Sequence, residues 1–253
     1  MLIGFDREIF MKKNPAYVVI FLAYLFGIVS LVLFAIFCSV GSLHLVRLDL
    51  SETEILFFDF SLSLVFFLQH SVMVRKSFRR YLSRFVPEAY VSAIYAIFSG
   101  IVLCAIIILW QETSGAVTAA QGVFRLALRA IFAASIVGFY WGTRALGFFD
   151  PFGVSEILNC LRGRKPKGTP LTIRGPYRFV RHPLYFFVIT MIWSSPDLTL
   201  DRLFFNVIWT AWIYIGAFLE ERDLEADFGE AYLQYKRKVP MIIPWRINRS
   251  SLE

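Results

Sequence analysis

The sequence is poor in charge and in cysteine. Charged residues make up 18% of its 253 positions, against about 25% in soluble domains. So little charge leaves too little polar surface to cover a soluble core. The three cysteines (Cys38, Cys104, Cys160) share no metal-ligand spacing, and two of them lie in apolar runs. That excludes a secreted disulfide scaffold and offers no zinc site. No internal repeat or low-complexity stretch stands out, which excludes a collagen-like or solenoid chain. No glycine fingerprint for a dinucleotide is visible.

Apolar residues are what the chain has in excess: 57% of all positions, with 27 Phe, against a soluble norm of about 45–50%. Lipid is therefore the expected solvent. A span needs roughly 20 apolar residues to cross about 30 Å of hydrocarbon. Ala16 to Val40 carries no charge and is too long for the apolar stretch of a signal peptide, so it reads as a retained first span. Phe57 to Val74, Tyr90 to Trp110 and Val123 to Thr143 follow as three more. Leu184 to Trp193 is too short to cross alone, and Leu203 to Leu219 is near the lower limit. With Pro196 and Asp197 read as a tight turn between them, this last pair predicts a helical hairpin. The expected fold is all-α: one polytopic membrane domain of about six transmembrane helices over residues 1–253. Four N-terminal spans occupy 16–143, and a polar loop, the hairpin and a tail occupy 144–253.

The net charge of +7 alone would suit a nucleic-acid partner, but its distribution argues otherwise. On a six-span reading, 22 of the 26 Lys and Arg fall on one side, and the opposite loops hold Arg47 and Arg202 alone. Such a bias places both termini in the cytoplasm, in a bacterial inner membrane. The basic residues then mark topology and contact with anionic lipid, with no nucleic acid and no metal expected. Arg125 and Arg129, spaced i, i+4, are expected to snorkel to the outer interface.

Three segments break the lipid-filling pattern. Arg174 to Tyr185 packs Gly175-Pro176-Tyr177, Arg178, Arg181, His182-Pro183, Leu184 and Tyr185 into a few turns. Pro183 suits the first turn of a helix, so His182 sits at a helix mouth where free N–H groups and the dipole favour an anion. Glu220-Glu221 closes the last span on the same edge, where carboxylates oppose the basic trend and could accept bonds from hydroxyls or an amine, or simply cap a solvated helix end. Gln69-His70-Ser71 ends the second span. At that depth a Gln-His pair faces a cavity or makes an interhelical hydrogen bond. His44 lies in the opposite loop and reads as a surface residue.

The run Gly175-Pro176-Tyr177-Arg178, Val180-Arg181-His182-Pro183, Tyr185, then Glu220-Glu221, Phe228-Gly229, Tyr232, Tyr235 and Val239-Pro240, resembles the isoprenylcysteine carboxyl methyltransferase superfamily. Upstream, Leu68-Gln69-His70-Ser71-Val72-Met73, Arg84-Phe85-Val86-Pro87 and Phe149-Asp150-Pro151-Phe152-Gly153 are similar to a narrower branch. That branch holds the bacterial methanethiol S-methyltransferases and the denitrification-associated membrane proteins of the NnrU type. The resemblance implies an S-adenosyl-L-methionine pocket on the cytoplasmic side, with His182, Tyr185, Glu220, Tyr177, Leu184 and Arg178 as cofactor-binding candidates. It also implies thiol methylation, with His182, His70 and Arg181 as catalytic candidates. The prenylcysteine enzymes place an arginine about a turn before the acidic pair; Gly216 and Phe218 stand in that region here, which favours a small thiol substrate, methanethiol giving dimethyl sulfide. Other expectations remain open: another thiol, an isoprenylated cysteine or an amine as acceptor, a non-enzymatic factor of the NnrU type in nitrogen-oxide metabolism, or a nicotinamide-dependent membrane reductase.

Overall fold

A computed structural model describes residues 13–147, 150–164 and 170–245. Arg7, Lys12, Phe149, the Lys165–Lys167 stretch and the arginines after Trp245 lie outside the described residues. The helices are α1 (Lys13–Val40), α2 (Glu52–Val74), the short α3 (Lys76–Leu82), α4 (Glu88–Leu109) and α5 (Gly122–Leu146). After them come α6 (Val154–Leu161), α7 (Pro183–Trp193), α8 (Leu200–Phe228) and α9 (Glu230–Lys238). Five of them, α1, α2, α4, α5 and α8, are long and apolar enough to cross a membrane. The chain is an all-α membrane bundle, and beside the five long helices stands the shorter apolar α7 of 11 residues.

Apolar side chains alone do not hold such a bundle together, because lipid tails are as apolar as Leu; close packing does. The core of α1, α2, α4 and α8 is aromatic, built on Phe34, Phe37, Phe66, Trp110, Phe205 and Trp209. Phe66 stacks on Trp209 with ring centres 5.2 Å apart, and Phe205 lies 4.7 Å from the same indole. α5 is largely exposed and touches the rest of the bundle mainly through α7. That contact depends on Gly138 and Gly142, one turn apart on α5. A Cβ at Gly138 would stand 2.2 Å from Phe187, and one at Gly142 would stand 2.6 Å from Leu184. The small-xxx-small spacing lets α7 sink into α5.

The end of the bundle where α4 stops and α8 begins is tied by a polar network. β1 (Ala116–Ala119) pairs antiparallel with β2 (Asp197–Thr199). Asp201, with no exposed surface, accepts from Trp110 Nε1 at 3.1 Å, Thr113 N at 3.0 Å and Thr113 Oγ1 at 2.8 Å. Arg202 donates to the Cys38 carbonyl at 2.6 Å. Arg125 forks onto Asp197 at 2.8 and 2.6 Å, and Arg129 reaches Ser39. Arg125 thus ties α5 to β2 and Arg129 ties it to the end of α1, instead of only reaching for the interface.

The expected tight turn at Pro196-Asp197 is a bend at Pro196 followed by strand β2. The difference matters for the hairpin. From Leu200 to Glu220, α8 rises about 30 Å at 1.5 Å per residue, whereas α7 supplies only about 16 Å. Six further residues, 194–199, make up the balance in a more extended form, at up to about 3.3 Å each. Pairing with β1 satisfies their backbone where lipid could not: Ala120 N donates to the Pro196 carbonyl at 2.8 Å and Leu200 N to that of Gly115 at 3.0 Å. The short helix therefore begins level with the end of the long one.

Candidate active site

At the other end of the bundle, the tail folds back over the start of α7. Arg181 N and His182 N donate to the carbonyls of Pro240 and Met241, each at 2.9 Å. Tyr235 Oη donates to the Tyr177 carbonyl at 2.5 Å. Tyr232, Tyr235 and Val239 pack together as a small core with Phe228 and Leu171 at its edge. Burial pushes the phenols of Tyr232 and Tyr235 well above the usual tyrosine range. Both hydroxyls therefore stay protonated.

Inside this clamp lies a buried charge network. The Arg181 guanidinium meets Glu221 Oε1 through both Nε and Nη2 at 2.6 Å, with only 7% and 3% of the two side chains exposed. Its Nη1 donates to the carbonyls of Lys236, at 3.0 Å, and Val239. Lys236 Nζ joins Glu221 Oε2 at 3.1 Å and Glu225 at 2.5 Å. Glu225, then Glu221, raises the Lys236 ammonium above its usual value. A buried pair of this kind stands only because additional bonds satisfy the remaining lone pairs and protons. Arg181 has no arm left for a ligand.

Glu220 points elsewhere. Its Oε2 accepts from Tyr185 Oη at 2.7 Å and lies 3.6 Å from His182 Nδ1. The His182 ring stacks on Tyr185, centres 5.4 Å apart and planes 11° from parallel. His182 Nε2 approaches Glu221 Oε1 to 3.3 Å without hydrogen-bond alignment, so this buried nitrogen has no hydrogen-bond partner among the described residues. The Tyr177 phenol lies in the field of Glu220; burial, then that carboxylate, pushes it up. About half of the Glu220 side chain remains open. A half-open carboxylate backed by an imidazole and two phenols forms an acceptor-rich recess suited to hydroxyls or a cation.

The remaining candidates divide. Arg178 is exposed and has no ion pair among the described residues. Leu184 packs into the notch of Gly142 on α5. His70 sits on α2 in an aromatic frame of Phe66, Tyr95 and Trp212. The Tyr95 hydroxyl is 2.9 Å from His70 Nε2 and 3.1 Å from Nδ1. Gln69 Nε2 reaches Ser99 at 3.2 Å and Met73 Sδ at 3.0 Å. The Gln69-His70 pair therefore makes interhelical bonds to α4. Tyr95 of α4 therefore holds the His70 ring in place. His44 is a surface residue paired with Glu112 at 2.8 Å.

Proteins from several bacteria match this chain over most of its length. A relative from a Pseudomonas species is 35% identical over 196 residues, covering 74% of this chain and 73% of the relative. One from Bradyrhizobium diazoefficiens is 32% identical, covering 78% and 70%. One from Mycobacterium tuberculosis is 33% identical, covering 72% and 75%. All three are named methanethiol S-methyltransferase. The chain belongs to the methanethiol S-methyltransferase family. Neither a protein-family model nor a solved structure matches it.

For this methanethiol S-methyltransferase family member, two contributors escaped the sequence reading. Glu221 was indistinguishable from Glu220 until the fold turned one inward and the other toward the recess. Tyr95 carries no local signal, being one aromatic among many in an uncharged span. The Gly138-x-x-x-Gly142 spacing, by contrast, was visible as a small-residue motif in an apolar run.

Proposed function

We propose that the protein is an S-adenosylmethionine-dependent thiol methyltransferase that converts methanethiol to dimethyl sulfide, with residues 144–253 as its catalytic core. The observation that carries this reading is Glu220 held by Tyr185 beside His182, in a chain whose relatives bear that activity in their names. Both termini are assigned to the cytoplasmic side of a bacterial inner membrane, on the charge bias described above.

The residues suit the cofactor. Glu220 is open to accept bonds from ribose hydroxyls or an amine, and the His182 ring stacked on Tyr185 backs it. The His182 Nε2 atom, buried and without a hydrogen-bond partner, is a polar group awaiting one. Arg178, exposed at the end of the short turn Gly175–Arg178 that precedes His182, takes the cofactor carboxylate; Arg181, committed to Glu221, does not. When bound, S-adenosylmethionine supplies an electrophilic methyl group on a sulfonium sulfur.

The protein's part is to orient, to dry and to deprotonate. The thiolate is the nucleophile, and a free thiol has a pKa of about 8.5, so at neutral pH its proton must leave. His182, or His70 through Tyr95, is the group to take it. Charge is neutralised as thiolate and sulfonium approach, so excluding water favours the transition state relative to separated ions. Fixing the two sulfurs in line with the methyl carbon lowers the barrier further. Ile215, Gly216, Ala217 and Phe218 are all uncharged, so α8 offers no cation a turn before Glu220 to receive a substrate carboxylate. This supports a small acceptor without one.

The test uses membranes containing the full chain, supplied with isotopically labelled cofactor and methanethiol. Labelled dimethyl sulfide in the headspace, lost in Glu220→Gln and His182→Ala, is the expected result. Membranes that bind cofactor yet release no dimethyl sulfide would refute methanethiol as the acceptor.

A further inference from the structure

A second recess opens at the same end of the bundle, away from His182. It has a volume of about 450 Å³ and is lined by Lys76, Arg79, Arg80, Ser83, Glu88 and Val91 from α3 and the start of α4. Three cations against one carboxylate make it an anion receptor. Lys76 is held by Asp227 of α8 at 2.6 Å, and Arg79 donates to Ser92 at 2.9 Å. Arg80 is exposed and has no ion pair among the described residues. Its guanidinium therefore lines the recess without being paired to the Glu88 carboxylate that shares it.

The position identifies the anion. α2 ends at Val74 and α4 begins at Glu88, so α3 lies where two spans leave the hydrocarbon. Beside the recess, Tyr81 and Phe85 are 54% and 69% exposed, with ring centres 5.2 Å apart. Exposed aromatic pairs at that depth are what a membrane interface selects. A recess for a freely dissolved anion has no use for them. Glu88 on the lining accepts hydrogen bonds, which suits a headgroup bearing hydroxyls.

We propose that this recess binds the phosphate of an anionic phospholipid, with Arg80 as its principal cation and the glycerol hydroxyls of a phosphatidylglycerol-type headgroup at Glu88. The lipid would sit against α3, which Lys76 ties to α8, the helix that carries Glu220. This site is independent of the methyl-transfer reading.

The experiment is native mass spectrometry of the full chain released from detergent, titrated separately with phosphatidylglycerol, phosphatidylcholine and inorganic phosphate. Arg80→Gln is compared with Arg84→Gln, which removes the same charge from the same segment outside the recess. Preferential retention of phosphatidylglycerol is expected, weakened about fivefold or more in Arg80→Gln and less than twofold in Arg84→Gln. Equal loss in the two variants would show a diffuse basic surface and overturn the site. Equal retention of phosphatidylcholine, or displacement of the lipid by phosphate alone at matched concentration, would overturn the lipid assignment.

Discussion

Arg181 and Glu221 meet at 2.6 Å in a space almost closed to solvent, and one residue earlier on the same helix Glu220 stays half open and bonds Tyr185. The two neighbouring carboxylates thus do different things: one locks the tail over the His-Pro motif, the other faces the recess.

Removing one member of the buried pair leaves the other charged and unpaired. Arg181→Ala should lower stability by about 3–5 kcal/mol. Denaturant unfolding in detergent, followed by tryptophan fluorescence, would measure it. A loss below 1 kcal/mol would mean that the pair is solvated in the membrane-bound protein.

The two glutamates should separate cleanly. Glu220→Gln should leave the unfolding midpoint in place and weaken cofactor binding roughly 10- to 100-fold, the range for hydrogen bonds to a charged group. Glu221→Gln should lower the midpoint first. Calorimetric titration alongside thermal unfolding distinguishes the patterns, and the reverse result would exchange their roles.

The α5–α7 contact is steric and so sensitive to single methyl groups. Gly138→Val drives atoms into Phe187 and should cost about 1–3 kcal/mol or more. Gly216→Ala meets no atom within 4 Å and should stabilise α8 by about 0.5–1 kcal/mol. Expression level and melting temperature of the two variants are the readout.

At the end of the bundle that carries β1 and β2, Asp201→Ala orphans Trp110 Nε1 and both Thr113 donors, at about 1–3 kcal/mol for each group left unsatisfied. Because this network lies at the opposite end from Glu220, KM of the folded fraction should not change. A raised KM would indicate coupling between the two ends.

The clamp phenols add a pH signature. Burial raises the folded-state values of Tyr177, Tyr232 and Tyr235 above the unfolded value of about 10. The folded state therefore holds these protons longer. Their contribution should be constant below about pH 10 and lost as pH rises through the folded values. Tyr235→Phe should blunt that alkaline loss in a pH series of melting curves.

Much of this was legible before any coordinates. Uncharged apolar runs have one stable answer in lipid, a helix that satisfies its own backbone, so the five long spans and the short sixth could be read directly. That His182 and Glu220 share an edge followed from the chain going up and returning. How an 11-residue helix accomplished this did not. The answer lies in the pairing of β1 with β2, and such pairing is non-local and leaves no mark in either segment alone.

The sequence by itself determined the solvent and the five long apolar helices, because hydropathy acts residue by residue. The tertiary structure alone decided which acid became a lock and which faces the recess. Consecutive residues on an α-helix point about 100° apart, so only the surroundings that α8 met, the tail on one side and Tyr185 on the other, told Glu221 from Glu220. The same surroundings absorbed Arg181 into the clamp and sent Leu184 into the glycine notch.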